Sequence, residues 1–209
     1  MDTPRIIFED NHLLVAYKPK GYLSQSDGSD APDMLNFLKS YIKEKYNKPG
    51  NVFLGLLHRL DRNVEGVMVF AKTGKCASRL SEQIRRGDFD KRYEARVQGK
   101  LTGSGRLVNY LIKDGRTNRV TVYDKEVPGS KRCELEYKAI GYKDGFTTVD
   151  IKLLTGRSHQ IRSQFAHAGH PLLGDTKYGG RRSDDGISLK SYFISFNHPV
   201  SGDRLEFTV

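Results

Sequence analysis

His58, Arg59, Asp61 and Arg62 fall within five residues, between the apolar runs 52–57 and 67–71. A carboxylate beside guanidinium groups stays ionised. If it is also partly desolvated, it can act as a nucleophile or steady a developing oxocarbenium ion. A surface salt bridge accounts for the same four residues, and on those residues alone it is the better account.

Two further stretches carry similar possibilities. Lys91-Arg92-Tyr93 sets an aromatic between charges. A base stacked on such a ring contributes about 1–3 kcal/mol; an ordinary cross-strand tyrosine is the simpler explanation. Arg157-Ser158-His159-Gln160-Ile161-Arg162 gathers several donors at the start of a helix. That end favours anions, so it reads either as a phosphate or carboxylate clamp or as a capped surface helix. His159, His167 and His170 lack the spacing and the carboxylate partner of a metal site, and no metal is expected. No second acid stands where a two-carboxylate glycosidase would need one.

Sequence periodicity indicates which elements position these groups. Strands are expected over 5–8 and 12–17, with the second stopped by Pro19 and Gly21. Leu35, Leu38 and Ile42 recur at helical spacing after Pro32, and Pro49-Gly50 ends the pattern. Strands over 52–57 and 67–71 bracket the Asp61 loop and place it at the edge of a buried sheet. Thr73 N-caps a second helix with a stripe of Ala77, Leu80 and Ile84, which Gly87 closes. Residues 91–97 alternate charged and apolar, the pattern of a half-exposed strand. From 105 to 153, short strands over 106–112, 119–123, 133–142 and 147–153 form an antiparallel meander, with Asp114-Gly115 and Asp144-Gly145 as hairpin signals. A helix follows from His159 to Ala168, then a loop over 181–186, then closing strands over 189–196 and 204–209.

The composition sets outer limits. The chain has 209 residues and no linker-like division, so it is read as a single domain, 1–209, with room for two lobes. Its net charge of +10 fits either a polyanion partner, through counterion release, or a well-solvated surface. Mean hydropathy is −0.59, and no apolar run reaches the length of a membrane span. The two cysteines, Cys76 and Cys133, have no CxxC spacing, which points to a reducing compartment and a cytoplasmic location. Neither a GxGxxG after a strand nor a P-loop occurs, so no nucleotide cofactor is expected.

Taken in order, five blocks resemble the RluA-type family of pseudouridine synthases. They are Val15-Ala16-Tyr17-Lys18-Pro19-Lys20-Gly21, His58-Arg59-Leu60-Asp61, Lys91-Arg92-Tyr93, Thr155-Gly156-Arg157-Ser158-His159-Gln160-Ile161-Arg162, and Pro171-Leu172-Leu173-Gly174-Asp175-Thr176-Lys177-Tyr178-Gly179. The resemblance implies an α+β fold, a mixed, mostly antiparallel bent sheet with flanking helices and a central basic cleft. It implies that Asp61 is the catalytic aspartate, that Tyr93 stacks on the target base, and that Arg162 pairs with Asp61. Arg59 would fill the gap left when the uridine flips out of the RNA. His58, Arg62, Arg157 and His159 would join it in holding structured RNA, ribosomal or transfer. Isomerising uridine breaks N1–C1′ and forms C5–C1′. It is redox-neutral and releases nothing, so no cofactor is implied. Attack at C1′ and removal of a sugar proton both suit one carboxylate. The other reading kept open is a catalytically silent RNA-binding or RNA-chaperone protein of the same fold. Nothing in the sequence calls for more than a monomer.

The match has departures. Val64-Glu65-Gly66 stands where the family usually has Thr-Ser-Gly, and Tyr17 stands where Asn is common. Glu65 adds a negative charge near Asp61, so it is expected to point away or to pair with a nearby Lys or Arg. The Tyr17 replacement is expected to leave activity unaffected. Many relatives carry an N-terminal S4 domain. This chain begins almost directly at the catalytic region, so its RNA is expected to be held by the catalytic surface or a partner.

Overall fold

The computed structural model describes residues 2–209, and eleven strands and three α-helices follow one another along them. They are β1 (Arg5–Glu9), β2 (Leu13–Lys18), α1 (Met34–Lys45), β3 (Gly55–Leu56), β4 (Glu65–Ala71), α2 (Gly74–Arg86), β5 (Asp90–Gln98), β6 (Ser104–Asp114), β7 (Arg119–Tyr123), β8 (Lys131–Lys143), β9 (Phe146–Leu153), α3 (Gln160–His167), β10 (Leu189–Asn197) and β11 (Arg204–Thr208). The fold is α+β, with a mostly antiparallel sheet and flanking helices. No helix among the described residues is long and apolar enough to cross a membrane.

The chain divides into two compact units. One comprises the residues up to Asp90 together with Ser191–Val209; the other is Lys91–Lys190. In the first, the strand order is β1-β2-β4-β10, with β11 on β10 and β3 on β4. Its core gathers Leu13, Val15, Val67 and Val69 from the central strands, Leu80 from α2, and Phe89, Ile194 and Phe196. Phe89 and Phe196 stack with ring centroids 5.1 Å apart. The caps read from the sequence are present on α2: the Thr73 side chain accepts from the Cys76 N–H, and Gly87 closes the helix at φ +82°.

The strand expected over 52–57 contracts to Gly55–Leu56. Only these two residues pair with β4, and Phe53 is 55 % exposed. An apolar run with no partner strand gains nothing from extended pairing, so its first residues remain loop.

The second unit orders its strands β5-β9-β8-β6-β7, the antiparallel meander expected from the turn signals. Asp144 and Gly145 take φ +54° and +83°, as a tight hairpin requires. Asp114-Gly115 instead opens a four-residue turn. There Asp114 accepts from the Arg116 N–H and the Thr117 hydroxyl, and Asn118 takes φ +51°. Helix α3 packs across β6 and β7. Ile161, Arg162, Ser163, Gln164 and Phe165 are all buried, so this helix is covered on several sides and is not a surface helix.

Candidate active-site residues

Asp61 lies in the loop between β3 and β4, half-buried, just after buried Leu60. Several braces fix this loop. The Ser24 hydroxyl accepts from the Leu60 N–H at 2.9 Å and donates to the Leu60 carbonyl at 2.8 Å. The Arg62 carbonyl accepts from the Gly21 N–H at 2.9 Å, and Arg62 Nε donates back to the Gly21 carbonyl at 3.1 Å. Lys18, fully buried, donates from Nζ to the carbonyls of Pro19 (3.2 Å), Arg62 (3.1 Å) and Val64 (2.7 Å). An ammonium has three protons and here meets three carbonyls. Burial pulls Lys18 down to about 7, while Asp61 and then Glu65 act to raise it. The three carbonyl acceptors also favour the charged form.

The sequence-singled residues of this unit take different positions. Arg59 is exposed. The His58 Nε2 accepts from the Val69 N–H at 3.1 Å, so the ring ties the loop to β4 through a backbone bond. Glu65 is paired, as expected. Its carboxylate accepts a short hydrogen bond from the Tyr17 hydroxyl and lies 3.7 Å from Lys20 Nζ. Tyr17 and Glu65, the two departures from the family pattern, are thus each other's partners on adjacent strands. Gly66 follows at φ +135°, where a Cβ would lie 2.2 Å from the Ser191 carbonyl oxygen. Only glycine fits there.

The remaining candidates belong to the second unit. Tyr93 sits on β5 opposite Ile151 and is 5 % exposed. Alternation puts Lys91, Tyr93, Ala95 and Val97 on the buried face of that strand. Lys91 is buried as well, and desolvation lowers its pKa. Arg157 is exposed and donates through Nε to the Arg132 carbonyl at 3.3 Å. His159 takes φ +51° immediately before α3 without supplying a side-chain cap. In its place, the Gln160 Oε1 accepts from the Arg157 N–H and the Thr155 hydroxyl. The His159 Nδ1 lies 2.8 Å from the Tyr178 hydroxyl.

Arg162 is engaged in a buried pair with Asp175. Its Nε is 2.7 Å from Oδ2 and its Nη2 is 2.9 Å from Oδ1. The sequence reading gave no role to Lys18, Asp175 or Tyr178. All three lay inside matched blocks, Lys-Pro-x-Gly and Gly-Asp-x-x-Tyr-Gly, which was the signal available.

The family model described as RNA pseudouridylate synthase matches residues 12–167. The chain belongs to this family. Such enzymes are isomerases that turn uridine in RNA into pseudouridine. Among curated relatives, the ribosomal large subunit pseudouridine synthase D of Vibrio cholerae is 32 % identical, over 99 % of this chain and 67 % of its own length. The protein of the same name from Yersinia pestis is 33 % identical, over 97 % of this chain and 65 % of its own. The chain therefore spans about two thirds of the length of these relatives. Among solved structures, human RNA pseudouridylate synthase domain containing 4 covers 98 % of the chain and 87 % of its own at a TM-score of 0.79 and 19 % identity, a likeness of fold. Asp61, Tyr93 and Arg162 all fall inside the family match.

Proposed function

We propose that this protein isomerises uridine to pseudouridine in RNA, with large-subunit ribosomal RNA as its substrate, and that Asp61 is its catalytic carboxylate. The observation that carries this reading is a family match spanning His58-Arg59-Leu60-Asp61, together with the bracing of that loop by Lys18, Ser24 and Gly21. Rigid support of a reactive carboxylate is what a reaction at C1′ requires, because misplacement by about 1 Å can cost about 10²-fold in rate. The relatives from Vibrio cholerae and Yersinia pestis are named for the large ribosomal subunit, which favours its RNA as the substrate.

In this reading the target uridine leaves the RNA stack and Arg59, exposed on the loop, takes its place. Asp61 acts at the sugar while N1–C1′ breaks. The detached base turns so that C5 faces C1′, the new bond forms, the C5 proton passes to solvent, and N1 takes up a proton in its place. Tyr93 supplies the ring against which the base is held. Arg162 serves as the cationic partner of the Asp61 carboxylate. Arg62, Arg157, His58 and His159 line the path of the RNA, with the two histidines acting through the backbone and side-chain bonds they make within the fold. The protein works as a monomer in the cytoplasm, without a cofactor.

The test is to map pseudouridines in total RNA from cells with and without the gene, and to repeat it with Asp61→Asn. A uridine modified only when Asp61 is intact, with RNA binding retained by the variant, supports the enzyme. If the wild type forms no pseudouridine in any cellular RNA, the silent RNA-binding alternative takes its place.

A further inference from the structure

We infer that Asp175 is a positioning residue that fixes the plane and direction of the Arg162 guanidinium for its work on the catalytic carboxylate. The inference rests on the role proposed above for Arg162. It is drawn from the surroundings of that arginine within the second unit.

A guanidinium is planar and presents five N–H donors in a rigid fork. Asp175 takes the Nε and Nη2 edge with both carboxylate oxygens, at 2.7 and 2.9 Å. Two parallel bonds of this kind fix the rotation of the plane and so the direction of every other N–H on it. The Tyr178 ring restrains the same group as a cation–π partner, with Arg162 Cζ 5.3 Å from the ring centroid. Tyr178 is held in turn: its hydroxyl accepts from the Val120 N–H at 2.9 Å and lies 2.8 Å from His159 Nδ1. The guanidinium is thus held by a bidentate ion pair and by an aromatic ring that is itself anchored.

The support behind Asp175 is made of backbone. The Asp175 N–H donates to the Leu172 carbonyl at 3.1 Å, and its own carbonyl accepts from Tyr178 at 3.1 Å and Gly180 at 2.9 Å. A Cβ at Gly174 would lie 1.9 Å from the Gly186 carbonyl oxygen, and one at Gly180 would lie 2.0 Å from the Leu172 carbonyl oxygen. Only glycine lets this loop close so tightly. The side chains of Arg162 and Asp175 are 8 % and 1 % exposed. Buried ion pairs contribute little net stability against apolar packing, so what such a pair offers here is a defined geometry.

The experiment compares Asp175→Asn, Asp175→Glu and Arg162→Lys with the parent protein. The probe is large-subunit ribosomal RNA, tritiated at uridine C5, from cells lacking the gene. Single-turnover tritium release reports chemistry and filter binding reports affinity. The ¹H–¹⁵N signal of Arg162 Nε, assigned by its loss in Arg162→Lys, reports the clamp. For Asp175→Asn the single-turnover rate is expected to fall about 10–100-fold, with RNA affinity within about twofold of the parent and the Nε signal displaced. Asp175→Glu keeps the charge but moves it by one methylene, and should run between the two. If Asp175→Asn fails to fold, the glutamate variant decides: turnover at the parent rate would make the pair a charge balance only and overturn the inference. If Arg162→Lys is slow while both Asp175 variants match the parent, the inference fails and the reading of Arg162 survives. If Arg162→Lys turns over normally, that reading fails and takes the inference with it.

Discussion

Replacing Lys18 with methionine should separate activity from stability. The substitution keeps a long flexible side chain in a fully buried slot and removes three donors. The Arg62 carbonyl keeps the Gly21 N–H, but the Pro19 and Val64 carbonyls lose their Nζ bonds. Each lost bond to a charged donor costs roughly 1.5–3 kcal/mol. Against this, the variant no longer carries a buried charge, whose penalty is several kcal/mol. The pKa gives a scale for that penalty: a fall from 10.5 to about 7 corresponds to roughly 5 kcal/mol. The opposing contributions nearly cancel, so Lys18→Met should unfold within about 2 kcal/mol of the parent. The loop carrying Asp61, however, loses the brace that ties it to β2, and single-turnover pseudouridine formation should drop about 10²-fold. The pH dependence supplies an internal check. A lysine lowered in the folded state binds fewer protons there than in the unfolded chain between about pH 7 and 10.5, so the parent should gain stability over Lys18→Met as pH rises through that window. The measurements are thermal unfolding at several pH values and tritium release from labelled RNA. Turnover within threefold of the parent would refute the claim that this amine holds the Asp61 loop in place.

Three other outcomes are expected. Tyr17→Phe and Glu65→Ala should couple in a double-mutant cycle of unfolding free energies by about 1 kcal/mol, since their side chains share one hydrogen bond; simple additivity would show that the bond contributes nothing. Gly66→Ala should destabilise the protein by about 3 kcal/mol or fail to fold, because its Cβ would enter the space of the Ser191 carbonyl at a left-handed φ; a near-parent denaturant midpoint would contradict the packing. For Glu9, burial pushes the carboxyl up, but hydrogen bonds from Lys45, Lys72, Tyr46 and Tyr41 outweigh it and bring the group down to about 2. The stability it adds is complete above pH 4.5 and is lost as pH falls through 2, so Glu9→Gln should flatten the acid limb of the unfolding curve, and an unchanged limb would count against this.

Most of the elements could be read from residue pattern because their signals were local. Thr73 and Gly87 mark both ends of α2 by cap chemistry that needs no tertiary context, and the alternation over 91–97 gives the two faces of β5 directly. The short β3 could not be read this way. Val52 to Leu54 are as apolar as a strand, yet pairing depends on a neighbour that the local pattern does not reveal. The burial of α3 is hidden for a related reason: Arg162, Gln160 and Gln164 are polar by type but buried because each finds a partner elsewhere, in Asp175, the Glu134 carbonyl and Asn109. Among the candidate residues, Asp61, Tyr93 and Arg162 stood out by type and motif. The groups that hold them did not, since a buried lysine bonded to three carbonyls resembles any solvated lysine until the chain is folded. Tyr17 and Glu65, read separately as departures, become a single feature only when β2 and β4 lie side by side.

The first unit draws residues 191–209 into a core otherwise built before position 91. On the ribosome, the strands bearing the Asp61 loop therefore remain without Ile194 and Phe196 until the hundred residues between have been translated. The intervening hundred residues can fold first as their own meander. Completion of the half that carries Asp61 thereby waits on the hundred residues between, and a nascent chain stalled before β10 would hold that half unfinished.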